Sequence, residues 1–586
     1  MSKIKSPIIY ETKYNLNHAR QLNEKIADHV PLENQKFLLN YPTVYVINNQ
    51  LTKSRQSGFT VYVGETNDIQ RRTLEHLEVD PEHRDDWARL EEEKNAQMYV
   101  IGHEHFNKSL TLDIENRLMK YLASVEAVTY LNNRRENAQN DYYPANEMEP
   151  IFNKIWRKLH KVNPNLFPAQ RLLENSALFK ASPFNKLTLE QLNAREEILQ
   201  AVDEALQKGK TQQLVKVTGE AGAGKTVLMS NIFYELSQKP KVKKVAMMVN
   251  HAQQEKVYQQ IVEKLGMGKT AEVIKASTFI KNYSPEKPID VAFVDEAHLL
   301  LTQRNQSYNG YGTNELIDII KRAKVTLIVY DEHQVLQATQ IVEDDDRDKL
   351  KEFDTTEIPL HNQMRIDANT KTIQWLRNLI DQGIIGAVPF DDKYDLQLFD
   401  SPKDMEIAIR QKNEQDGGNG LSRMVATFDW SYSSTPKKNG EGYWEVSEGD
   451  WHMPWNLQLK SPAKGHRNIQ YKNLAWPEQP HTINEIGSTY TVQGLDLNYV
   501  GVEIGPSVKY RDGKIVFDPT ASKNKKAVQK RTMHDGKKVS HGAQLLKNEL
   551  NVLLTRGVHG LYLHAVDPAL QAALKKAFKT KSSNEF

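Results

Sequence analysis

Cysteine is absent from the 586-residue sequence. Its absence excludes disulfides, thiolate metal sites and cysteine nucleophiles, and fits a reducing compartment. Long apolar runs are missing too: no segment approaches the ~20 residues that a membrane span needs. The N-terminal MSKIKSPIIYETKYNLNHAR lacks the apolar stretch of a secretory signal. The expectation is a soluble cytoplasmic protein with no membrane partner. Charge of one sign is also lacking, since 77 Lys and Arg face 75 Asp and Glu, a formal net charge of +2. Any nucleic-acid footprint must then be a local patch and not a global basic field. What the chain does have is length, too much for one core, so about two to four domains are expected.

The fold class read from patterning is α/β multidomain. Residues 1–40 read as an N-terminal helical extension. From residue 41 to 148, the strands TVYVIN, FTVYVG and MYVIGHEHF alternate with the helical stretches that start at Asp68, WARLEEEKNAQ and LTLDIENRLMKYLA, a small α+β unit with its own core. Residues 149–186, punctuated by Pro and Asn but with enough Trp and Leu to pack, read as a packed connector. Beyond it LVKVTG, KVAMMVN, DVAFVDE and TLIVYDE are continuous apolar runs separated by helical segments, as in a parallel sheet covered on both faces. These lie in a first α/β core, 187–350; a second core with an insertion covers 351–578, and 579–586 form a polar tail. The acidic run Glu343 to Lys349 reads as a solvated loop at the seam.

GEAGAGKT, Gly219 to Thr226, fits the pattern GxxxxGK[ST] between a strand and a helix. Gly219, Gly222 and Gly224 let backbone N–H groups wrap phosphates at a helix N-terminus. Lys225 reaches the β- and γ-phosphates of ATP, and the Thr226 hydroxyl coordinates Mg²⁺. The strand VAFV delivers Asp295 and Glu296 of DEAH, a metal partner and a catalytic base for the attacking water. TLIVYDE ends in Asp331, and Gln334 follows, placed to sense the γ-phosphate from the same crevice.

KLTLEQLNA, GEAGAGKT, DEAH, YDEHQ, QMR at Gln363 to Arg365, TVQG at Thr491 to Gly494 and LLTRG at Leu553 to Gly557 resemble the ordered motifs of superfamily 1 helicases. IGSTYTVQGLDLNYVGVEIGP and NVLLTRG more closely resemble the Schlafen-type helicase-like ATPase domain, over about Leu187 to His564. The resemblance implies two RecA-like lobes with ATP between them and a nucleic-acid strand across their top. It also implies that Gln191 reads adenine, that Gly494 joins the nucleotide site, and that Arg365 and Arg556 act as arginine fingers. Such a finger raises hydrolysis by ~10³- to 10⁵-fold, so hydrolysis would depend on lobe closure. VNHAQQE stands where a Thr-rich strand-contacting motif is more usual, and the insertion Asn419 to Trp455 is Schlafen-like. ATPase activity is therefore the safer inference than processive unwinding.

In VYVGETNDIQRRTLEH, Arg72 and His76 are i and i+4 on one helical face. Tyr45 and Tyr62 lie near the ends of two strands able to converge beside them, and Glu115 interrupts an amphipathic helix. Such a set suits phosphodiester hydrolysis: arginine clamps phosphate, glutamate holds a divalent cation, and a phenol or imidazole handles the water proton. The stretch from Tyr41 to Tyr143 resembles the GIY-YIG nuclease family, with TVY in place of the first signature, YVG as the second, Asn116 after Glu115 and the Asn132-Asn133 pair. By that resemblance Tyr45 orients or activates water, Arg72 stabilises the phosphate, Glu115 binds Mg²⁺ or Mn²⁺, and Tyr62 and His76 share proton handling. An unperturbed phenol is only about one part in a thousand ionised at pH 7, so Tyr45 needs a lowered pKa or a metal-bound water as partner.

The cationic run Lys523 to Lys538 reads either as a phosphate contact or as a mobile soluble loop. Trp430, Tyr432, Trp451 and Trp455 read either as base-stacking groups or as a small core. His103 and His105 read as structural. The expected function is an ATP-dependent nucleic-acid enzyme pairing an endonuclease with a helicase-like ATPase, with DNA ahead of RNA as partner and, by analogy, a role in bacterial defence against foreign DNA. The alternative is an ATP-gated sensing module with an inactive nuclease domain. Oligomers and partner proteins stay open.

Overall fold

The structure is a computed structural model that describes residues 4–51, 58–83, 96–132, 142–174, 176–219, 222–303, 314–360, 365–415, 420–435, 437, 442–460 and 474–579. Most of the expected charged helix at 87–97, Asn133, Glu220, Ala221, Gln363, Met364, parts of the insertion and the tail from 580 lie outside the described residues. Two compact units emerge. The first comprises Met1–Lys186, Ser230–Val242 and Val257–Glu272, and the second Leu187–Met229, Lys243–Lys256 and Val273–Phe586.

The first unit is built on a five-stranded sheet in the order β1-β4-β2-β3-β5. Its strands are β1 (Ile8–Lys13), β2 (Thr43–Leu51), β3 (Gly58–Thr66), β4 (Gln97–Gly102) and β5 (Val128–Asn132). All neighbours are antiparallel except β3 and β5, which run parallel. Val44, Tyr45, Val46 and Ile47 of β2 are all fully buried, so this strand is covered on both faces. The helix Ile69–Glu78 starts where the Asp68 side chain accepts the Arg71 N–H at 3.0 Å, a cap worth ~1 kcal/mol. That start sets its phase, burying Ile69, Thr73 and His76 on one stripe. The helix Lys108–Ser124 buries Leu110, Ile114, Leu118 and Leu122 along a stripe that also contains Glu115.

One boundary expectation needs correction here. The N-terminal region is not helical throughout, because Ile8–Lys13 pairs residue for residue with β4 and so completes the sheet. Its alternation was too weakly apolar to stand out. In the segment from 149, Ile151, Phe152, Ile155, Trp156 and Leu159 of the helix Met148–Val162 are buried, and the rings of Phe152 and Trp156 each lie 4.9 Å from that of Tyr121.

The second unit holds most of two sheets, each with its own core, whose strand pairings of known direction are parallel. The larger has the order β11-β6-β10-β9-β7-β8, from β6 (Gln213–Gly219), β7 (Val245–Val249), β8 (Ala271–Ile274), β9 (Ile289–Asp295), β10 (Ala323–Tyr330) and β11 (Thr355–Leu360). Strands β7 and β9 are buried along their whole length, which is why they read as unbroken apolar runs. The seam expected at 350 is overturned by β11, which pairs in parallel with β6 and extends the first lobe to at least Leu360. The run from Glu343 is likewise no solvated loop: Asp344–Lys351 is helical and Asp346 is fully buried.

The smaller sheet has the order β12-β21-β16-β13. Its strands β12 (Asp395–Leu398) and β13 (Arg423–Ala426) are followed by a hairpin of β14 (Glu445–Glu448) and β15 (Trp451–Pro454), then by β16 (Leu497–Ile504). Two further hairpins, β17 (Val508–Arg511) with β18 (Lys514–Phe517) and β19 (Arg531–Thr532) with β20 (Lys538–Val539), precede β21 (Gly557–Ala565). Trp455 is fully buried and Trp430, Tyr432 and Trp451 pack against the same core, so these aromatics are a core and not a stacking platform. The cationic run is structured as well, with a short helix, Lys525–Val528, and a buried Arg531. Among the described residues no helix is long and apolar enough to cross a membrane.

Candidate functional site

In the first unit, β2 and β3 align Tyr45 opposite Gly64, and Tyr62 stands two residues from that pair on the same face. A Cβ on Gly64 would lie 2.5 Å from both Cζ and the hydroxyl of Tyr45 and 2.8 Å from Cε1 of Tyr62. Only glycine leaves room there for the two rings, whose centroids are 5.9 Å apart. The Tyr45 hydroxyl meets His76 Nε2 at 2.7 Å, and Tyr62 stacks edge-on to His76 at 5.1 Å. Burial raises the Tyr45 phenol well above its ordinary pKa, with Tyr62 and Glu115 adding to the rise. Tyr62 is raised by burial and by Glu115. Burial opposes the charge on Arg72, yet Tyr45, Glu75 and Tyr62 more than compensate, and its Nη1 donates to Glu75 Oε2 at 3.0 Å. Glu115 is buried and acts electrostatically on both tyrosines. Sequence reasoning overlooked Asp80, whose Oδ2 lies 2.5 Å from His76 Nδ1. Its i+4 spacing from His76 was the available signal. His103 binds the Lys5 carbonyl and His105 binds Glu147, in keeping with structural roles.

In the second unit the chemistry gathers at the C-terminal ends of β6, β9 and β10, where parallel α/β sheets hold their ligands. Gly222 and Gly224 take φ of +94° and +73°, conformations that let successive N–H groups turn inward. Thr226 follows Lys225 in the first turn of the helix Lys225–Gln238. Lys225 Nζ donates to the Gly219 carbonyl at 2.6 Å and stands 3.9 Å from Asp331. Burial lowers the Lys225 pKa, opposed by Asp331 and Glu296. Asp295 is almost completely buried, and Glu296 holds φ +53° and ψ +53°, a left-handed conformation that costs of order 1–3 kcal/mol and tends to mark working sites. Glu296 Oε2 lies 3.3 Å from His298 Nε2.

From there a chain of contacts reaches the second lobe. Gln334 Nε2 donates to Asp331 at 2.7 Å, and Arg556 Nη2 donates to Gln334 Oε1 at 2.9 Å. Gln493 Nε2 donates to the Gln334 carbonyl at 3.2 Å and lies 3.3 Å from His298 Nε2. Burial, with Arg365 nearby, pushes Arg556 down to about 9. Arg365 itself is held by Asp496, Nε to Oδ1 at 2.5 Å. Gln191 is engaged locally: its Oε1 accepts the Thr188 N–H in a capping box, and its Nε2 reaches the carbonyls of Ala223 and Gly224. Gly494 lies under the Gln254 amide, 2.9 Å from where its Cβ would be.

The model of the Schlafen group 3 DNA/RNA helicase domain matches residues 212–567, more than half of the chain. The chain belongs to this Schlafen group 3 helicase family. The uncharacterized protein YPL245W of Saccharomyces cerevisiae is 29% identical over 471 residues, covering 73% of this chain and 99% of that protein. Among solved structures, the Pif1 helicase from Candida albicans matches with 15% identity and a TM-score of 0.21, over 39% of this chain. The chain spans 55% of that helicase's length.

Within the Schlafen domain, Lys225, Glu296, Gln334 and Arg556 meet in one network, while Asp295 and Thr226 flank it at the strand and helix ends. A helicase-like domain implies ATP and typically Mg²⁺, and the residue types fit both: a glycine-turned loop ahead of a lysine, a threonine in the first turn of the following helix, and a buried carboxylate at the end of β9. The roles of His298, Gln493 and Asp496 were not legible beforehand, because each depends on a partner far away in sequence.

Proposed function

We propose that the chain is an ATP-dependent nucleic-acid-processing enzyme in which the first unit hydrolyses phosphodiesters with a divalent metal and the Schlafen domain hydrolyses ATP. The observation that carries the nuclease half is the convergence of Tyr45, Tyr62 and His76 at Gly64, with Arg72 and Glu115 coupled to the same tyrosines. Arg72 clamps the scissile phosphate and stabilises its extra charge. Glu115 is the residue to hold Mg²⁺ or Mn²⁺, which supplies Lewis-acid stabilisation there; a lone carboxylate suits an ion that keeps most of its waters. Tyr45 orients the attacking water, and Tyr62 and His76 share its proton. Because burial raises the Tyr45 pKa, the phenolate is not the resting form.

In the Schlafen domain, Lys225 and the N–H groups at Gly219, Gly222 and Gly224 cradle the phosphates, Thr226 and Asp295 hold Mg²⁺, and Glu296 polarises the water. Gln334 and Gly494 line the γ-phosphate side, Gln191 borders the adenine side, and Arg365 and Arg556 supply positive charge to the transition state. DNA ranks ahead of RNA as substrate. The pairing of nuclease and ATPase suits action on foreign DNA, which plasmid and phage survival in cells with and without the gene would measure.

The second reading, an ATP-gated sensing module, is favoured by one observation: Tyr45 has no exposed surface at all. The deciding experiment incubates the protein with plasmid, linear duplex, single-stranded DNA and RNA, with Mg²⁺ or Mn²⁺, with and without ATP. Arg72→Ala and Glu115→Ala are expected to stop cutting while ATP hydrolysis persists, and Lys225→Ala to stop ATP hydrolysis. Cutting by Arg72→Ala at the parental rate would remove the assigned site. A parent that never cuts but hydrolyses ATP on adding nucleic acid would establish the sensing module.

A further inference from the structure

His76 is sandwiched between two polar partners, the Tyr45 hydroxyl on Nε2 at 2.7 Å and the Asp80 carboxylate on Nδ1 at 2.5 Å. The imidazole is completely buried, whereas the Asp80 side chain is about one-fifth exposed, at the start of the short helix Asp80–His83. The helix Ile69–Glu78 ends between them, so the pair is held by backbone geometry as well as by the hydrogen bond. An ionised carboxylate can only accept, which requires the proton to be on Nδ1. Neutral imidazole carries one N–H, so Nε2 is then a lone pair facing the tyrosine.

We propose that Asp80 is a positioning residue of this site: by accepting the Nδ1–H of His76 it leaves Nε2 as the acceptor for the Tyr45 hydroxyl proton. The proposal rests on the nuclease reading of the first unit. It removes the difficulty of a buried phenol as base, since Tyr45 never has to exist as a free phenolate. In the cutting step the water oxygen forms a bond to phosphorus as the bond from phosphorus to the leaving nucleotide oxygen breaks. The water proton passes to the Tyr45 oxygen, the Tyr45 proton passes to His76 Nε2, and the leaving oxygen takes a proton from solvent. The imidazolium so formed lies against the Asp80 carboxylate and returns its extra proton to solvent. Asparagine at position 80 keeps the shape but offers an N–H to Nδ1. That places the imidazole proton on Nε2, where it points at the tyrosine oxygen and blocks the transfer.

The test uses the full-length protein, with the His76 ring nitrogens observed by long-range ¹H–¹⁵N correlation after ¹⁵N-histidine labelling and assigned with His76→Gln. Single-turnover plasmid cleavage with Mg²⁺ is measured for the parent, Asp80→Asn and Arg72→Ala, and circular dichroism melting checks the fold. The expected result is an Nδ1–H tautomer in the parent, an Nε2–H tautomer in Asp80→Asn, and cleavage slowed by about 10²- to 10⁴-fold, the range that a positioned proton transfer contributes. Parental cleavage by Asp80→Asn, or one tautomer in both proteins, overturns the role of Asp80. An Nε2–H tautomer in the parent overturns it even if the variant fails to fold. A parent that does not cut, or Arg72→Ala that cuts as the parent does, instead overturns the nuclease reading, and the tautomer spectra still decide whether Asp80 sets His76.

Discussion

Single residues shape the first unit's candidate site through the space they leave. Gly64 is the sharpest case, because both tyrosine rings occupy the volume of its missing side chain. Gly64→Ala forces at least one buried ring out of place, at about 1–3 kcal/mol for overpacking of this kind. The expected outcome is a lower melting temperature together with loss of cleavage, measured by calorimetry and plasmid nicking. Parental values of both would mean the rings do not converge as described. The YVG motif was legible in the sequence, and so was the placing of Arg72 and His76 on one face of a helix by their spacing. The reason for the glycine was not, since it lies in Tyr45 on the neighbouring strand.

Among the elements, the hairpin of β19 and β20 shows how far a local reading can mislead. A run dense in lysine suggested either a phosphate contact or a solvated loop, yet Arg531 within it is buried and uses its guanidinium fully. It donates from Nε to Glu343 at 2.8 Å, from Nη1 to Thr302 Oγ1 at 2.8 Å and to the Ala338 carbonyl at 2.9 Å, and from Nη2 to the Thr302 carbonyl at 2.9 Å. Glu343 also accepts the His534 N–H at 2.8 Å. Removing one partner of a buried ion pair strands the other charge, which costs roughly 3–5 kcal/mol. Arg531→Met is therefore expected to lower the denaturant midpoint for loss of ATPase activity markedly, and an unchanged midpoint would show that this contact contributes little to the fold.

At the level of the whole molecule, the Schlafen domain gathers motifs hundreds of residues apart into one network from Lys225 through Asp331 and Gln334 to Arg556. Arg556 belongs to the end of the helix Gly542–Leu554 and the entry to β21, so its guanidinium stays in the crevice only while that lobe is seated there. Arg556→Ala is expected to slow ATP turnover by ~10³-fold or more while nucleotide binding is largely kept. Steady-state hydrolysis and fluorescent-nucleotide titration separate the two. An equal loss of binding would assign Arg556 to seating the lobes and not to the transition state.

The sequence by itself determined the α/β character of the Schlafen domain, its apolar parallel strands LVKVTG, KVAMMVN, DVAFVDE and TLIVYDE, and its candidate phosphate loop, because each rests on short-range patterns: an apolar run, a glycine turn, a lysine at fixed spacing. It also carried the residues of the first unit's constellation, since they sit at strand ends and on helical faces with regular periods. Tertiary structure alone decided that Ile8–Lys13 completes the first sheet, that β11 belongs to the first lobe, and that Asp80, His298, Gln493 and Asp496 are partners of the expected residues. The physical reason is common to all of them. A hydrogen bond or a strand pairing is set by distance in space, and a polar side chain looks the same in sequence whether it ends in water or, buried, must find a partner.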